Sequence, residues 1–290
     1  RSYRSHIREL EHRQVNRYIG TERFIINRIG GIPMEGELKR VTDYMRSRIV
    51  FTAKRPTTND KHVGIEIEFT AKASRETLGA ALASAKLGKY VHLKGDGSIQ
   101  ITKNNHSAHE LTICVPQAEQ REVVARIVEV LKQHEASVNK SCGLHVHVDV
   151  RLRDRSKVFS NLVSAQSVLY AMQPKSRQEN SYCVKTKSKD VYKEMSGGRY
   201  KGINATAINK FGTIEIRLHA GTVDANKISS WVELLVQLAD AAPMFKRAPR
   251  TLDTFCKAYG INDALRSYVV ERIRKFRDIA TLTGEDSDVA

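Results

Sequence analysis

The sequence predicts an α+β protein, and two kinds of periodicity predict it. Three segments alternate apolar and polar residues with the period of a strand: 63–70, 143–149 and 213–219. Other segments repeat apolar residues at helical spacing, the clearest running from Glu119 to His134 through Val123, Ile127, Val130 and Leu131. The chain has 290 residues, 41 % of them hydrophobic, which suits one large domain or one domain with appendages.

The elements follow in order. Residues 1–58 read as a basic, mainly helical N-terminal extension, broken at Gly30-Gly31-Ile32-Pro33 and bounded by Pro56-Thr57-Thr58-Asn59-Asp60. A core is expected over 59–245. Its first strand, Val63 to Thr70, puts Glu66 and Glu68 on one face and Ile65, Ile67 and Phe69 on the other. A helix is expected from Glu76 to Leu87, closed by Gly88 as its C-cap. Lys94-Gly95-Asp96-Gly97-Ser98 reads as a hairpin turn between strands near 90–93 and 98–102. The helix from Glu119 to His134 precedes the second alternating strand, where His145, His147 and Asp149 share a face. Another helix spans Lys157 to Met172. Residues 173–200 form a long loop-rich insertion, a length often used for a lid or clamp. The third alternating strand places Glu215, Arg217 and His219 on one face. An apolar helix follows from Ile228 to Leu238. Residues 246–283 are expected to be C-terminal helices packed on the core, and 284–290 a disordered acidic tail.

A polar strand face usually meets water. Such a face would mix Lys, Thr, Ser and Gln. These three carry carboxylate, imidazole and guanidinium instead, and carboxylates gathered on one face repel unless a cation or an arginine neutralises them. Three such strands argue for a shared cationic centre. Glu66, Glu68, Glu110 and Glu215 outnumber the imidazoles, which favours a hard cation, Mg²⁺ or Mn²⁺. Zinc is the rival, because His-x-His on a strand is a frequent zinc arrangement. Cys114, Cys142, Cys183 and Cys256 stand alone, with no Cys-x-x-Cys pair for a structural zinc site. A cation and Arg217 on one face suit a phosphate or an acyl-phosphate.

The ordered series Gly-Ile-Glu66-Ile-Glu68, Cys-Gly-Leu-His145-Val-His147-Val-Asp149 and Thr-Ile-Glu215-Ile-Arg217-Leu resembles the amidoligase family, a branch of the glutamine synthetase-like carboxylate–amine ligases. The segments around Asp96-Gly97-Ser98, Glu110 to Pro116, Arg177 to Cys183, Tyr200 to Asn204 and Gly221 to Asp224 agree with it, over roughly residues 60–245. Glu110 departs from the family's spacing, where the proline follows more closely. The resemblance implies a curved antiparallel sheet, with an ATP and metal site on its concave face and helices on the other side. It implies metal ligands at Glu66, Glu68, Glu110, His145 and Glu215, and His147 near the nucleotide phosphates. Arg217 would hold the substrate carboxylate or its phosphorylated form, and Arg177 and Asn180 would contact nucleotide or acceptor. Asp96 or a nearby Glu would be the base that deprotonates the amine. The implied reaction is ATP- and Mg²⁺-dependent amide or peptide bond formation through an acyl-phosphate. Its partners would be an amino acid, peptide or protein carboxylate and an amine. Asp149 is left without a role.

Two other readings stand beside this one: a metal-dependent hydrolase using the His-x-His/Glu cluster, and a non-catalytic basic protein on a ligase-like scaffold. The net charge of +16 permits nucleic acid as a partner, but no helix-turn-helix or RNA-binding aromatic motif supports it. No run of about twenty apolar residues suggests a membrane span. The charged start, Arg1-Ser2-Tyr3-Arg4, gives the expectation of no signal peptide. Unpatterned cysteines suggest a reducing cytoplasm. The sequence leaves the oligomeric state open.

Overall fold

The computed structural model of the chain describes residues 60–242, 249 and 251–276. The expectations for 1–58 and 284–290 lie outside the described residues. In chain order the elements are β1 (His62–Ala71), α1 (Arg75–Ser84), β2 (Val91–Gly95), β3 (Ser107–Pro116), α2 (Gln120–Gln133), β4 (Gly143–Asp149), α3 (Arg155–Ala171), α4 (Lys175–Gln178), α5 (Val191–Met195), β5 (Ile203–Asn204), α6 (Ala207–Phe211), β6 (Thr213–Ala220), α7 (Ala225–Asp240), α8 (Leu252–Tyr259) and α9 (Asp263–Phe276). The six strands form one sheet in the order β2-β3-β1-β4-β6-β5, with every neighbouring pair antiparallel. The α+β class is therefore as expected.

Alternation decides which face is covered. Val63, Ile65, Ile67 and Phe69 of β1 are buried, as are Leu144, Val146 and Val148 of β4 and Ile214 and Ile216 of β6. They join one core with Val123, Ile127 and Leu131 of α2, Phe159 and Leu162 of α3, and Trp231 and Leu235 of α7. Aspartates start two of these helices: Asp154 accepts from the Ser156 and Lys157 amides, and Asp224 from that of Lys227. Helices α8 and α9 add Phe255, Tyr259, Val269 and Ile273 to the same core, and the Tyr259 hydroxyl donates to the Asn161 carbonyl at 2.9 Å. Among the described residues no helix is long and apolar enough to cross a membrane.

Some local expectations are corrected. Residues 98–102 are not a strand: β2 pairs with β3, and 96–106 is the connection between them. The Asp96 carboxylate turns the chain by accepting from the Ser98 amide (2.8 Å) and hydroxyl (2.7 Å). Helix α1 stops earlier than Gly88, because its C-cap is Ala85 and Lys86 takes a left-handed backbone conformation, φ 59°. The 173–200 insertion, by contrast, is loop-rich as expected, with the short α4 and α5 and a 3₁₀ turn at Ser181–Cys183. The largest correction is His219. Between β4 and β6 the register runs Leu144↔His219 and then Val146↔Ile216, so β6 holds one extra residue there. That bulge turns His219 to the core side. It is 1 % exposed and packs against Trp231, with ring centroids 5.1 Å apart. Burial and the charge of Arg272 push its pKa down to about 3, so the ring is neutral.

One ion-pair network ties the ends of three elements together. Arg153, just past β4, grips Asp240 at the end of α7 with Nε (2.8 Å) and Nη2 (2.9 Å), and Lys61 before β1 reaches the same carboxylate at 2.9 Å. Arg153 and Lys61 lower the Asp240 pKa to about 2 against burial. A depressed carboxylate contributes stability above its unfolded pKa, which is lost as pH falls through the folded value. Asp240→Asn is therefore expected to cost about 1 kcal/mol near neutrality, a size discounted for the 35 % exposure of the side chain. The difference from wild type should shrink below about pH 4 and be largely gone near pH 2. Urea unfolding of both proteins across that range checks it; a gap that stays constant down to the acid end would show that the pair is not the cause.

Candidate active site

Strand register assembles the polar residues on the sheet face opposite the core. Glu68 of β1 lies across from Glu110 of β3, and Glu66 across from His145 of β4. His147 of β4 lies across from Gly64 on one side and Glu215 of β6 on the other. Directly opposed side chains on one face are close neighbours. Four strands far apart in sequence thus give one continuous row of acids and imidazoles.

Within this row the ligand atoms gather into two groups. Glu66, His147 and Glu215 offer atoms all within 4.8 Å of one another, and so do Glu68, Asp96 and Glu110. His145 stands between them. Its Nδ1 is 3.1 Å from Glu66 and 3.7 Å from Glu215, while its Nε2 is 3.7 Å from Glu68. His147 Nε2 is 3.3 Å from Glu66. All the expected metal ligands are therefore brought together. His147, expected near the phosphates, lies with Glu66 and Glu215, and Asp96, expected as a base, lies with Glu68 and Glu110, each a group that could hold a metal ion.

The electrostatics show how such a row is tolerated. Burial would raise the Glu66 pKa, but the imidazoles of His145 and His147 outweigh it and hold the carboxyl well below the usual range. Burial would lower the His147 pKa, yet the carboxylates of Glu66 and Glu215 carry it above the ordinary value. Glu110 is pushed up by burial and by Glu66, with Lys94 partly offsetting both. Lys94 Nζ lies 2.8 Å from Glu110, and Arg217 pairs with Glu215. Among the described residues, Lys94 and Arg217 thus neutralise part of the row. Its oxygen-dominated donors, with imidazole in the minority, fit Mg²⁺ or Mn²⁺ better than a thiolate-seeking metal. The buried Nε2 of His147 faces the Glu66 carboxylate at 3.3 Å.

Supporting residues fix these groups, and several had no role from sequence alone. The Asn204 carboxamide donates to Glu215 at 2.7 Å, and Thr213 shares a 2.9 Å hydrogen bond with His147 Nδ1. Such outer contacts orient ligands and set the histidine tautomer. Asn204 lies across from Glu215 on β5, so the pairing follows from register that no local pattern reveals. Glu68 accepts from the Gly143 amide at 2.6 Å. A Cβ at Gly143 would lie 2.5 Å from Arg177 Nη2 and 2.8 Å from His145 Nε2, so a side chain here would push both groups aside. Gly64 likewise makes room for His147, whose Cβ would be 2.9 Å from any added methyl.

Arg177 is buried and donates to the His219 carbonyl at 2.9 Å, which braces the bulged end of β6 beside Gly143. Asn180 is used locally. Its side chain accepts from the Tyr182 amide (2.7 Å) and donates to the Ser176 carbonyl (3.3 Å). That turn presents the Tyr182 carbonyl to Arg217 Nε at 3.4 Å. Asp149 gains a role as a wall: it pairs with Arg151 at 2.6 Å.

Beside the row opens a cavity of about 620 Å³, lined by Gly64, Glu66, Lys94, His147, Arg151 and Phe211 among others. Phe211 meets the His147 ring edge-on, with centroids 5.8 Å apart. A small organic ligand fits a space of this size.

A family model described as "Putative amidoligase enzyme" matches residues 59–196 and 193–239. No curated protein matches the chain.

Proposed function

The chain belongs to the amidoligase family, and from that premise we propose that it is an ATP- and Mg²⁺-dependent carboxylate–amine ligase. The observation that carries this reading is a pair of groups that could hold cations, Glu66/His147/Glu215 and Glu68/Asp96/Glu110, the first of which lends Glu66 and His147 to a cavity also lined by Lys94, Arg151 and Lys210. Two groups that could hold cations, near a cavity that carries basic side chains, would suit a nucleoside triphosphate.

In this reading the two trios, with His145 between them, would hold divalent cations, whose charge would offset that of the phosphates. The cavity would take the nucleotide, with Phe211 as an apolar wall. The substrate carboxylate oxygen attacks the γ-phosphorus, giving an acyl-phosphate and ADP. The amine then attacks the acyl carbon, gives up a proton, and phosphate leaves with the bonding electrons. Arg217, held by Glu215 and the Tyr182 carbonyl, presents its guanidinium to the oxygens of the acyl-phosphate. Asn204 and Thr213 keep Glu215 and His147 in place. Asp96 serves better as a ligand than as the amine's base, since its carboxylate already anchors the Ser98 turn beside Glu68 and Glu110.

The experiment is thermal unfolding with and without Mg²⁺ and ATP, followed by mass spectrometry of candidate carboxylates and amines incubated with the protein. Binding to the native state raises the unfolding temperature. A product equal in mass to acid plus amine minus water, with ADP released, is expected. Cleavage of amides without ATP would instead favour the hydrolase reading, and no shift over a wide range of Mg²⁺-ATP would refute the ligase.

A further inference from the structure

Lys94 is paired with one member of the Glu68/Asp96/Glu110 group. It lies on β2 directly across from Glu110, with its ammonium 2.8 Å from that carboxylate and in the field of Glu66 and Asp96. Glu110 is almost fully covered, with its side chain 10 % exposed, whereas that of Lys94 is 50 % exposed and lines the cavity. The lysine is thus the movable partner, on a flexible four-carbon stem, and the glutamate the fixed one.

An ammonium and a divalent cation cannot share the same carboxylates without strong repulsion. Resting on the assignment of Glu68, Asp96 and Glu110 as a cation site, we infer that Lys94 is a positioning residue that links occupancy of this site to the phosphate-bearing ligand. Without ligand, Lys94 occupies Glu110 and weakens the site. When a cation enters, Lys94 is displaced into the cavity it already lines, where a phosphate oxygen accepts it as a point charge. Cation and phosphate then favour each other by the same factor, as linkage requires. The second cation would therefore be held weakly by the free protein and tightly in the nucleotide complex.

The test is Mn²⁺ binding followed by the electron paramagnetic resonance of free Mn²⁺, with and without a non-hydrolysable ATP analogue. Wild type, Lys94→Met and Lys94→Arg are compared. Wild type should bind two ions, the weaker one tightened by the analogue. In Lys94→Met the weaker site should tighten about fivefold in the free protein, the size expected for removing one partner of a half-exposed ion pair. It should no longer respond to the analogue, whose affinity should itself fall. Lys94→Arg should restore the coupling. If wild type binds two ions and Lys94→Met leaves both constants and their response unchanged, the ion pair is structural only and the inference fails. If wild type binds neither Mn²⁺ nor the analogue, the ligase reading fails with it.

Discussion

Glu66→Gln is expected to lower ATP-dependent product formation by about three orders of magnitude, near 4 kcal/mol of transition-state stabilisation. Glu66 lies at the centre of the row. It faces His145 across the β1–β4 ladder, is held ionised by both histidines, and belongs to the trio that includes Glu215. Glutamine keeps the shape of the side chain but removes the charge, and a neutral amide is a poor ligand for a hard dication. The fold should survive, since the apolar face of β1 is untouched and Glu66 sits on the opposite side of the sheet. The expected pattern is a ligand-free unfolding temperature within a few degrees of wild type and loss of the shift caused by Mg²⁺-ATP. Wild-type turnover in this variant, measured as ADP release, would remove Glu66 from the site.

The residues with an intrinsic pattern were the ones the sequence revealed. Glu66 and Glu68, His145 and His147, and Glu215 and Arg217 each alternate with buried aliphatic residues, so facing could be read without knowing the partners. Period-two reasoning fails where the backbone breaks the period. The extra residue in β6 sent His219 into the core, and nothing in Thr-Ile-Glu-Ile-Arg-Leu-His announces that bulge. Partners set by register were equally hidden. Asp96, just past β2, meets Glu68 and Glu110, and Asn204 on β5 meets Glu215 on β6, through strand pairing that no local pattern announces. Gly97 and Ser98 after Asp96 signalled a turn correctly, but not that the returning strand would begin only at Ser107.

The two halves of the site are held in different ways, and this shapes what mutations reveal. Glu66, Glu68, His145 and His147 project from the sheet's interior strands β1 and β4. Their positions are fixed by ladders on both sides. Arg217 and Lys94 lie toward the sheet's two margins and are tied to the row by one ion pair each, to Glu215 and Glu110.

Arg217→Ala should therefore separate chemistry from nucleotide binding. The Arg217 guanidinium pairs with Glu215, and its Nε reaches the Tyr182 carbonyl at 3.4 Å. Asn204 still holds Glu215 when the arginine is gone, so the Glu66/His147/Glu215 trio persists. The shift caused by Mg²⁺-ATP should then be largely kept. On the proposed function, what would be lost is a forked contact to the acyl-phosphate, a charge-assisted interaction whose removal should cost about a hundredfold to a thousandfold in turnover. A lysine in its place would supply the charge without the fork, so Arg217→Lys should recover only part of the rate. Turnover should fall with little change in the apparent affinity for ATP, while the requirement for substrate carboxylate rises. An Arg217→Ala variant that loses the Mg²⁺-ATP shift together with turnover would show that Arg217 holds the nucleotide site itself. Wild-type turnover in that variant would exclude it from the reaction.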